Sequence, residues 1–278
     1  LDPAAEIALR AAANAGVDLR QVQRDALLAT GLCLAAVSPG GQRTFFSFRG
    51  ANVALDAAPL LAADMGGVLL HLCAHSLLEE PQRGAALLTA DEALRRHTLL
   101  SLDLCTPAAR NCRDLIFDLL PRLAILFMNE DELALLLPGQ PPDEALRALI
   151  GRGARLVALK RGARGCIVMT RRGSLVLDAA QVQASDTNGC GDAFVAGFLW
   201  AYLRGATLAG CAALANLVGS LTATRPGAAE ALPTLAELLA HLREQQGWAG
   251  VAAAHTVLDI GNGPPAPAAR GSRAPVDA

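Results

Sequence analysis

Lysine is almost missing from this chain of 278 residues: Lys160 is the only one, and arginine carries the remaining positive charge. That scarcity excludes a Walker A loop, which needs Gly-Lys-Ser/Thr, because Lys160 is followed by Arg161. Aromatic residues make up 4% of the sequence while hydrophobic residues as a whole reach 53%, so the core is built mainly of alanine and aliphatic side chains. No Cys-x-x-Cys pair occurs among the seven cysteines. Their odd number and spacing argue against a disulfide framework or a structural zinc, and for a reducing cytosol. Excess charge of either sign is also absent. The 24 basic and 26 acidic residues leave a net charge of −2. Arginines alternate with acids rather than clustering, so nucleic acid finds no electrostatic footprint. No secretory signal is expected, since the opening segment already carries Asp2, Glu6 and Arg10. Residues 205–224 lack charge over about the length of a membrane span. They contain Gly205, Thr207, Gly210, Asn216, Gly219, Ser220 and Thr222, which predicts a buried helix with no role in a membrane. No repeat of fixed period is visible, and the length suits one or two domains.

What is present centres on one stretch, Asp186-Thr187-Asn188-Gly189-Cys190-Gly191-Asp192 followed by Ala193-Phe194-Val195-Ala196-Gly197-Phe198. From Ala193 to Arg204 no proline interrupts an apolar run, and Arg204 suits the negative end of a helix dipole. The polar segment before it is a loop feeding that helix. Gly189 and Gly191 permit backbone angles that turn successive N–H groups toward one point. The helix start adds unpaired donors and partial positive charge there. Such a place holds an anion. Asp192 at its rim is kept ionised by the dipole and can accept a proton, a combination suited to phosphoryl transfer to an alcohol. An acid-capped buried helix after a turn explains the same spacing equally well. A dinucleotide fingerprint is excluded, because Phe194 stands where the third glycine is needed.

Asp-Thr-x-Gly-x-Gly-Asp running into Ala-Phe-x-Ala-Gly-Phe resembles the C-terminal signature of the ribokinase/PfkB carbohydrate kinase family. Cys190 replaces the family's usual alanine, at a position where only the backbone N–H is asked for. The resemblance implies an α/β fold of the ribokinase type: a three-layer sandwich with a mainly parallel sheet flanked by helices, and a small β lid. It implies ATP-dependent phosphorylation of a hydroxyl on a small sugar or sugar acid. Asp192 would be the general base, with an anion hole from Gly189, Cys190, Gly191 and Asp192. Alternatives are a nucleoside kinase on the same fold and a non-catalytic binding or regulatory relative. The chain opens on Leu1, and the family's first strand and Gly-Gly-x-x-x-Asn segment are not found, so an N-terminally incomplete member is expected. The resemblance runs from about Ala15-Gly16-Val17-Asp18 to residue 245.

The remaining segments fall into place around it. Residues 4–13 read as a helix stopped near Gly16. Residues 28–37 and 42–49 read as a hairpin about Ser38-Pro39-Gly40-Gly41, with Phe46 and Phe48 on one face and Ser47 and Arg49 on the other. It resembles the family's lid, residues 28–52, which covers the sugar and often doubles as a dimer surface; Arg43 and Asn52 are its candidate substrate ligands. Residues 67–73 form a strand. His71, Cys73 and His75 lack the spacing of a zinc site and read as core or pocket-wall residues. A helix from Pro81 to His97, a strand ending near Asp103, a helix over 107–120 and a strand over 123–128 alternate as crossovers of a parallel sheet do. Ligands gather beyond the C-terminal ends of such strands. Asn129-Glu130-Asp131-Glu132 lies there and resembles the family's Asn-x-x-Glu motif, which implies that Asn129 and Glu132 organise Mg2+. The bland reading is an acidic first turn on a helix. A helix at 143–152 and a strand at 155–160 follow. Lys160, Gly162 and Gly165, and Asn216 in the helix 207–223, resemble positions near the nucleotide. Residues 224–228 resemble the loop that frames a K+ site with Asp186. Helix 233–245 closes the domain, residues 1–246, and residues 247–278 read as a disordered tail.

Overall fold

The computed structural model describes residues 2–37, 43–63, 67–245 and 247–260. The chain divides into two compact units, residues 1–98 and 99–278.

The first unit opens on helix α1 (Pro3–Asn14). One carboxylate oxygen of Asp2 caps it by accepting from the Ala5 N–H at 2.9 Å. The other accepts from the Thr30 N–H at 2.7 Å, which ties the helix start to the hairpin. Strands β1 (Leu32–Val37) and β2 (Arg43–Phe48) pair antiparallel, with Leu32 opposite Phe48 and Leu34 opposite Phe46. The expected turn at 38–41 lies outside the described residues. This register puts Leu32, Leu34, Phe46 and Phe48 on one face, and all four are exposed. Helix α2 (Ala57–Ala62), strand β3 (Leu69–Cys73) and helix α3 (Gln82–Arg95) complete the unit.

The second unit holds strands β4 (Leu99–Asp103), β5 (Ile125–Asn129), β6 (Leu156–Lys160), β7 (Cys166–Thr170) and β8 (Gly173–Leu177), side by side in sequence order. β4, β5 and β6 run parallel, joined by helices α4 (Thr106–Asn111), α5 (Arg113–Leu119), α6 (Glu130–Leu136) and α7 (Pro142–Gly151). β6, β7 and β8 run antiparallel because short turns join them, so this part of the sheet is mixed. Helices α8 (Cys190–Leu203), α9 (Leu208–Thr222), α10 (Leu235–Glu244) and α11 (Val251–Ile260) follow.

Strand alternation separates two apolar layers. Ile125, Phe127, Leu156, Ala158, Cys166 and Val168 form one core with residues of α8 to α11. Leu126, Met128, Val157 and Leu159 are equally buried on the opposite face, where α6 and α7 pack on β5 and β6. Phe198 of α8 meets Phe127 edge-on, with ring centroids 5.3 Å apart, and stacks on Phe194. Helix α9 comes close to α8 because the contact is made of small residues. A Cβ on Gly197 would lie 3.1 Å from the Ala215 Cα.

Three expectations need correction. The helix predicted over 107–120 is two, meeting at Cys112, whose backbone leaves the helical region. Helix α8 starts at Cys190, three residues ahead of Ala193, so Asp192 lies inside its first turn. The tail predicted from 247 is ordered as far as 260. Trp248, Ala254, Val257 and Leu258 are buried in the core of this unit, and the Trp248 indole N–H donates to the Asp178 carbonyl at 2.9 Å. Composition alone hid these apolar positions at helical spacing among alanines. Residues 261–278 lie outside the described residues.

Gly165 closes the β6–β7 turn at φ +75°, and a Cβ there would lie 2.0 Å from the Leu177 carbonyl oxygen. Both the left-handed angle and the backbone contact exclude a side chain. Gly165→Ala should lower stability by about 2 kcal/mol or more, read as a lower urea midpoint with unchanged slope.

Candidate active site

The C-terminal ends of β4, β5 and β6 carry Asp103, Asn129 and Lys160. Register fixes where they point. Asp103 pairs with Phe127, Phe127 with Ala158, and Asn129 with Lys160. Phe127 and Ala158 belong to the core under α8, so Asp103, Asn129 and Lys160 project from that same face, beneath the start of α8. The Lys160 Nζ donates to Asp103 Oδ1 at 2.6 Å, and the two side chains are 14% and 11% exposed. A Cβ placed on Gly191 would lie 3.5 Å from the Lys160 Nζ. The sole lysine of the chain therefore sits directly against the first turn of α8.

That first turn has the form of an anion cradle. Gly189 caps it at φ +72°. Ala193 donates to the Gly189 carbonyl at 2.8 Å and opens the helical ladder, while the Cys190 N–H donates to the Thr187 carbonyl at a longer 3.4 Å. The N–H groups of Gly189, Gly191 and Asp192 have no acceptor among the described residues. Open donors at a helix start attract a negatively charged group. The Asp192 side chain is exposed at this point.

Asp186 holds the loop. Its Oδ1 accepts from the Asn188 N–H at 3.0 Å, and its Oδ2 accepts from the Gly227 N–H at 3.1 Å. The Ser185 and Asp186 N–H groups donate to the Ala223 carbonyl. Ala228 then packs on Gly189, 3.0 Å from where a Cβ would stand. Asp186 thus bonds directly to the segment 224–228.

Asn129 and Glu132 form a reciprocal capping box on α6. The Asn129 Oδ1 accepts from the Glu132 N–H at 2.8 Å, and the Glu132 Oε2 accepts from the Asn129 N–H at 2.9 Å. Glu132 is 5% exposed, and burial pushes its carboxyl up to about 7, opposed by the Asn129 N–H and by Lys160. Burial also raises Asp103; Lys160 opposes the shift and the negative charge of Asp192 adds to it. Asp103, Glu132, Lys160 and Asp192 therefore form one electrostatic cluster.

The other predicted residues are placed as follows. Gly162 and Gly165 form the β6–β7 turn, where Arg164 pairs with Glu130 at 2.5 Å and joins the turn to the start of α6. Asn216 is buried, and its side-chain NH2 donates to the carbonyls of Leu177 and Asp178 at 3.1 and 3.2 Å. This gives Asn216 a structural task between α9 and the end of β8. In the first unit, Asn52 lines a cleft of about 570 Å³ with Ser47, Arg49, His71, His75 and Gln82. Arg49 donates to the His75 carbonyl at 2.9 Å and to Gln82 Oε1. The Arg43 side chain lies outside the described residues. Asp103 is the residue that sequence reading passed over. Its position at the end of a predicted strand was the available signal.

A helix start with open amides, an exposed carboxylate and a half-buried lysine beneath thus meet at the C-terminal edge of an α/β sheet. The model of the pfkB family carbohydrate kinases matches residues 2–235, and the chain belongs to that family. It is 29% identical over 222 residues to "Probable fructokinase-6, chloroplastic" of Arabidopsis thaliana, covering 74% of this chain and 58% of that protein. It is 40% identical over 121 residues to an ATP-dependent ribose-1-phosphate kinase of Halopiger xanaduensis, covering 44% of this chain and 39% of that protein. The chain thus spans under two thirds of the length of both. Fructokinase from Vibrio cholerae, solved with fructose, ADP and calcium, aligns with a TM-score of 0.76 at 24% identity, over 86% of this chain and 82% of that one. Aminoimidazole riboside kinase from Salmonella enterica gives 0.74 at 22%, over 86% and 82%. The fold is ribokinase-like. Among the described residues no helix is long and apolar enough to cross a membrane.

The sign of the Glu132 shift makes a prediction. Its carboxyl keeps its proton in the folded state up to about 7, against 4.5 as the ordinary value. The folded state thus binds the extra proton between those values, and its stability falls as pH rises through that window. The loss attributable to this group is at most about 3 kcal/mol. In metal-free protein, Glu132→Gln should flatten that part of the urea stability profile. Parallel profiles for the two proteins would exclude Glu132 as the source.

Proposed function

We propose that the protein is an ATP-dependent phosphotransferase acting on a hydroxyl group of a small sugar or sugar acid. The observation that carries the reading is the set of open amides at the start of α8 beside the exposed Asp192. ATP is the donor substrate. Its terminal phosphoryl group lies in the cradle of Gly189, Cys190, Gly191 and Asp192, with Lys160 supplying positive charge from below and Gly162 and Gly165 shaping the approach. Asp192 takes the proton of the acceptor hydroxyl as its oxygen bonds to phosphorus. The bond from that phosphorus to the bridging oxygen of ADP breaks, and the amides hold the charge that develops.

The chain's oxygen donors fit Mg2+, which prefers oxygen ligands and keeps several waters. The capping box uses one oxygen of Glu132 and leaves Oε1 uncommitted among the described residues, so Asn129 and Glu132 would hold the ion through water. Bound there, Mg2+ neutralises phosphate charge. Asp186, with the backbone around 224–228, fits K+ on the same grounds of oxygen chemistry. The cleft with Asn52 in the first unit, within the size range of small-molecule pockets, holds the acceptor, and Arg43 on β2 belongs to the same assignment. The exposed face of Leu32, Leu34, Phe46 and Phe48 suits a homodimer through the lid. A reducing cytosol is the compartment in keeping with the cysteine pattern.

The test is turnover with ATP, Mg2+ and a panel of sugars, sugar acids and nucleosides. Asp192→Asn should lower kcat by about a hundredfold or more with the melting temperature retained. Cys190→Ala should leave kcat unchanged, since only its backbone serves. An unchanged rate in Asp192→Asn removes this residue from the chemistry. A nucleoside as the best acceptor selects nucleoside kinase activity, and ATP binding without ADP formation across the panel selects a binding relative.

A further inference from the structure

Lys160 shares its cluster with three carboxylates, Asp103, Glu132 and Asp192, and bonds to the first. Its ammonium donates to Asp103 at 2.6 Å. Asp192, whose charge is felt at Asp103, forms no ion pair among the described residues. Asp103 and Lys160 end β4 and β6, the strands on either side of β5, and project from the same face, so backbone register, not side-chain chance, sets their meeting. Both are close to nine-tenths covered. A lysine has four rotatable bonds and a compact charge. The Lys160 Nζ already lies against Gly191, so a lysine freed from Asp103 can turn to the carboxylate of the next residue, Asp192. A base paired to an ammonium is a poorer proton acceptor, because the pair stabilises its ionised form.

We propose that Asp103 is a positioning residue: it anchors Lys160 under the anion cradle and keeps the lysine from pairing with Asp192. This rests on the phosphotransferase reading and adds a division of labour to it. Asp192 faces the acceptor, Lys160 faces the transferred phosphoryl group, and Asp103 keeps the two apart. The remaining charges around the cluster leave the assignment intact. Glu132 accepts from the Asn129 N–H through Oε2 and feels Lys160, so a lysine found on Glu132 in Asp103→Asn overturns the assignment. Glu130 is paired with Arg164, and Asp186 is held by Asn188 and Gly227.

The experiment compares Asp103→Asn, Lys160→Met and the double variant, with kcat from ADP release and ATP affinity from calorimetry. Asp103→Asn should lower kcat about tenfold while acceptor KM and ATP affinity stay near wild type, because the lysine remains but cages the base. Lys160→Met should weaken ATP binding. Adding Asp103→Asn to it should cost nothing further, since no ammonium is left to misplace. Asp103→Glu, which keeps the anion, should restore most of the rate and serves if the asparagine variant folds poorly. A full Asp103→Asn penalty persisting in the Lys160→Met background, or a wild-type kcat in Asp103→Asn, overturns the assignment. A crystal structure of Asp103→Asn reads the same claim without turnover, so failure of the wild type to phosphorylate any acceptor sinks the proposed activity alone. Lys160 on the Asp192 carboxylate upholds the positioning role, and Lys160 still bonded at position 103 ends it.

Discussion

The site depends on the pleat of three parallel strands at the edge where they end. Because side chains alternate along a strand, the residue two beyond a core position points the same way as that position. Phe127 anchors α8 through Phe198, and Ala158 lies in the same core. Asn129 and Lys160 are each two residues further on, past the reach of the apolar layer but still on its face. The packing that seats α8 also aims polar groups at its first turn. Core and site are successive rungs of one ladder. A one-residue slip in β6 would turn Lys160 to the opposite face of the sheet.

Placing α8 over that edge requires a loop of fixed shape before it. The loop is made rigid by hydrogen bonds to a single carboxylate, that of Asp186, from both sides of the gap between Asn188 and Gly227. Glycine is needed at 189 for two separate reasons: a left-handed backbone angle and the methyl group of Ala228 against it. The N–H groups of Gly189, Gly191 and Asp192 then find no acceptor among the described residues. Unused donors at a buried end would be costly, but these face an exposed Asp192 and solvent, where the cost of leaving them open is small. Preorganisation of this kind means that an incoming phosphate finds its donors already oriented.

Most of this was legible in sequence where the physics is local. The loop 186–192 announced itself through two glycines and two acids at fixed spacing, and Asn129 to Glu132 through an Asn-x-x-Glu pattern with an acidic first turn. The alternating strands and helices were visible because each has its own apolar period. What remained hidden is non-local. Asp103 carries no motif, and its meaning comes from a lysine 57 residues away. Asn216 reads equally well as a ligand or as a structural amide until its partners, the carbonyls of Leu177 and Asp178, are known. The helix at 251–260 was masked by composition: alanine and valine among glycines and prolines suggest disorder until Val257 and Leu258 find a core to enter.

The scarcity of lysine acquires a physical sense here. Exposed ion pairs in the described structure use arginine, as at Arg20, Arg83, Arg96, Arg164 and Arg225, where a planar fork can hold a carboxylate in water. Beneath Gly191 the charge is an ammonium instead. The Lys160 Nζ already lies 3.5 Å from where a Cβ on Gly191 would be, and a guanidinium is wider than an ammonium. A compact charge on a flexible stem can reach past Asp103 toward the cradle without displacing the turn above it. Glycine at 191 and lysine at 160 are thus neighbours across the start of α8: a methyl group on the first would just touch the ammonium of the second.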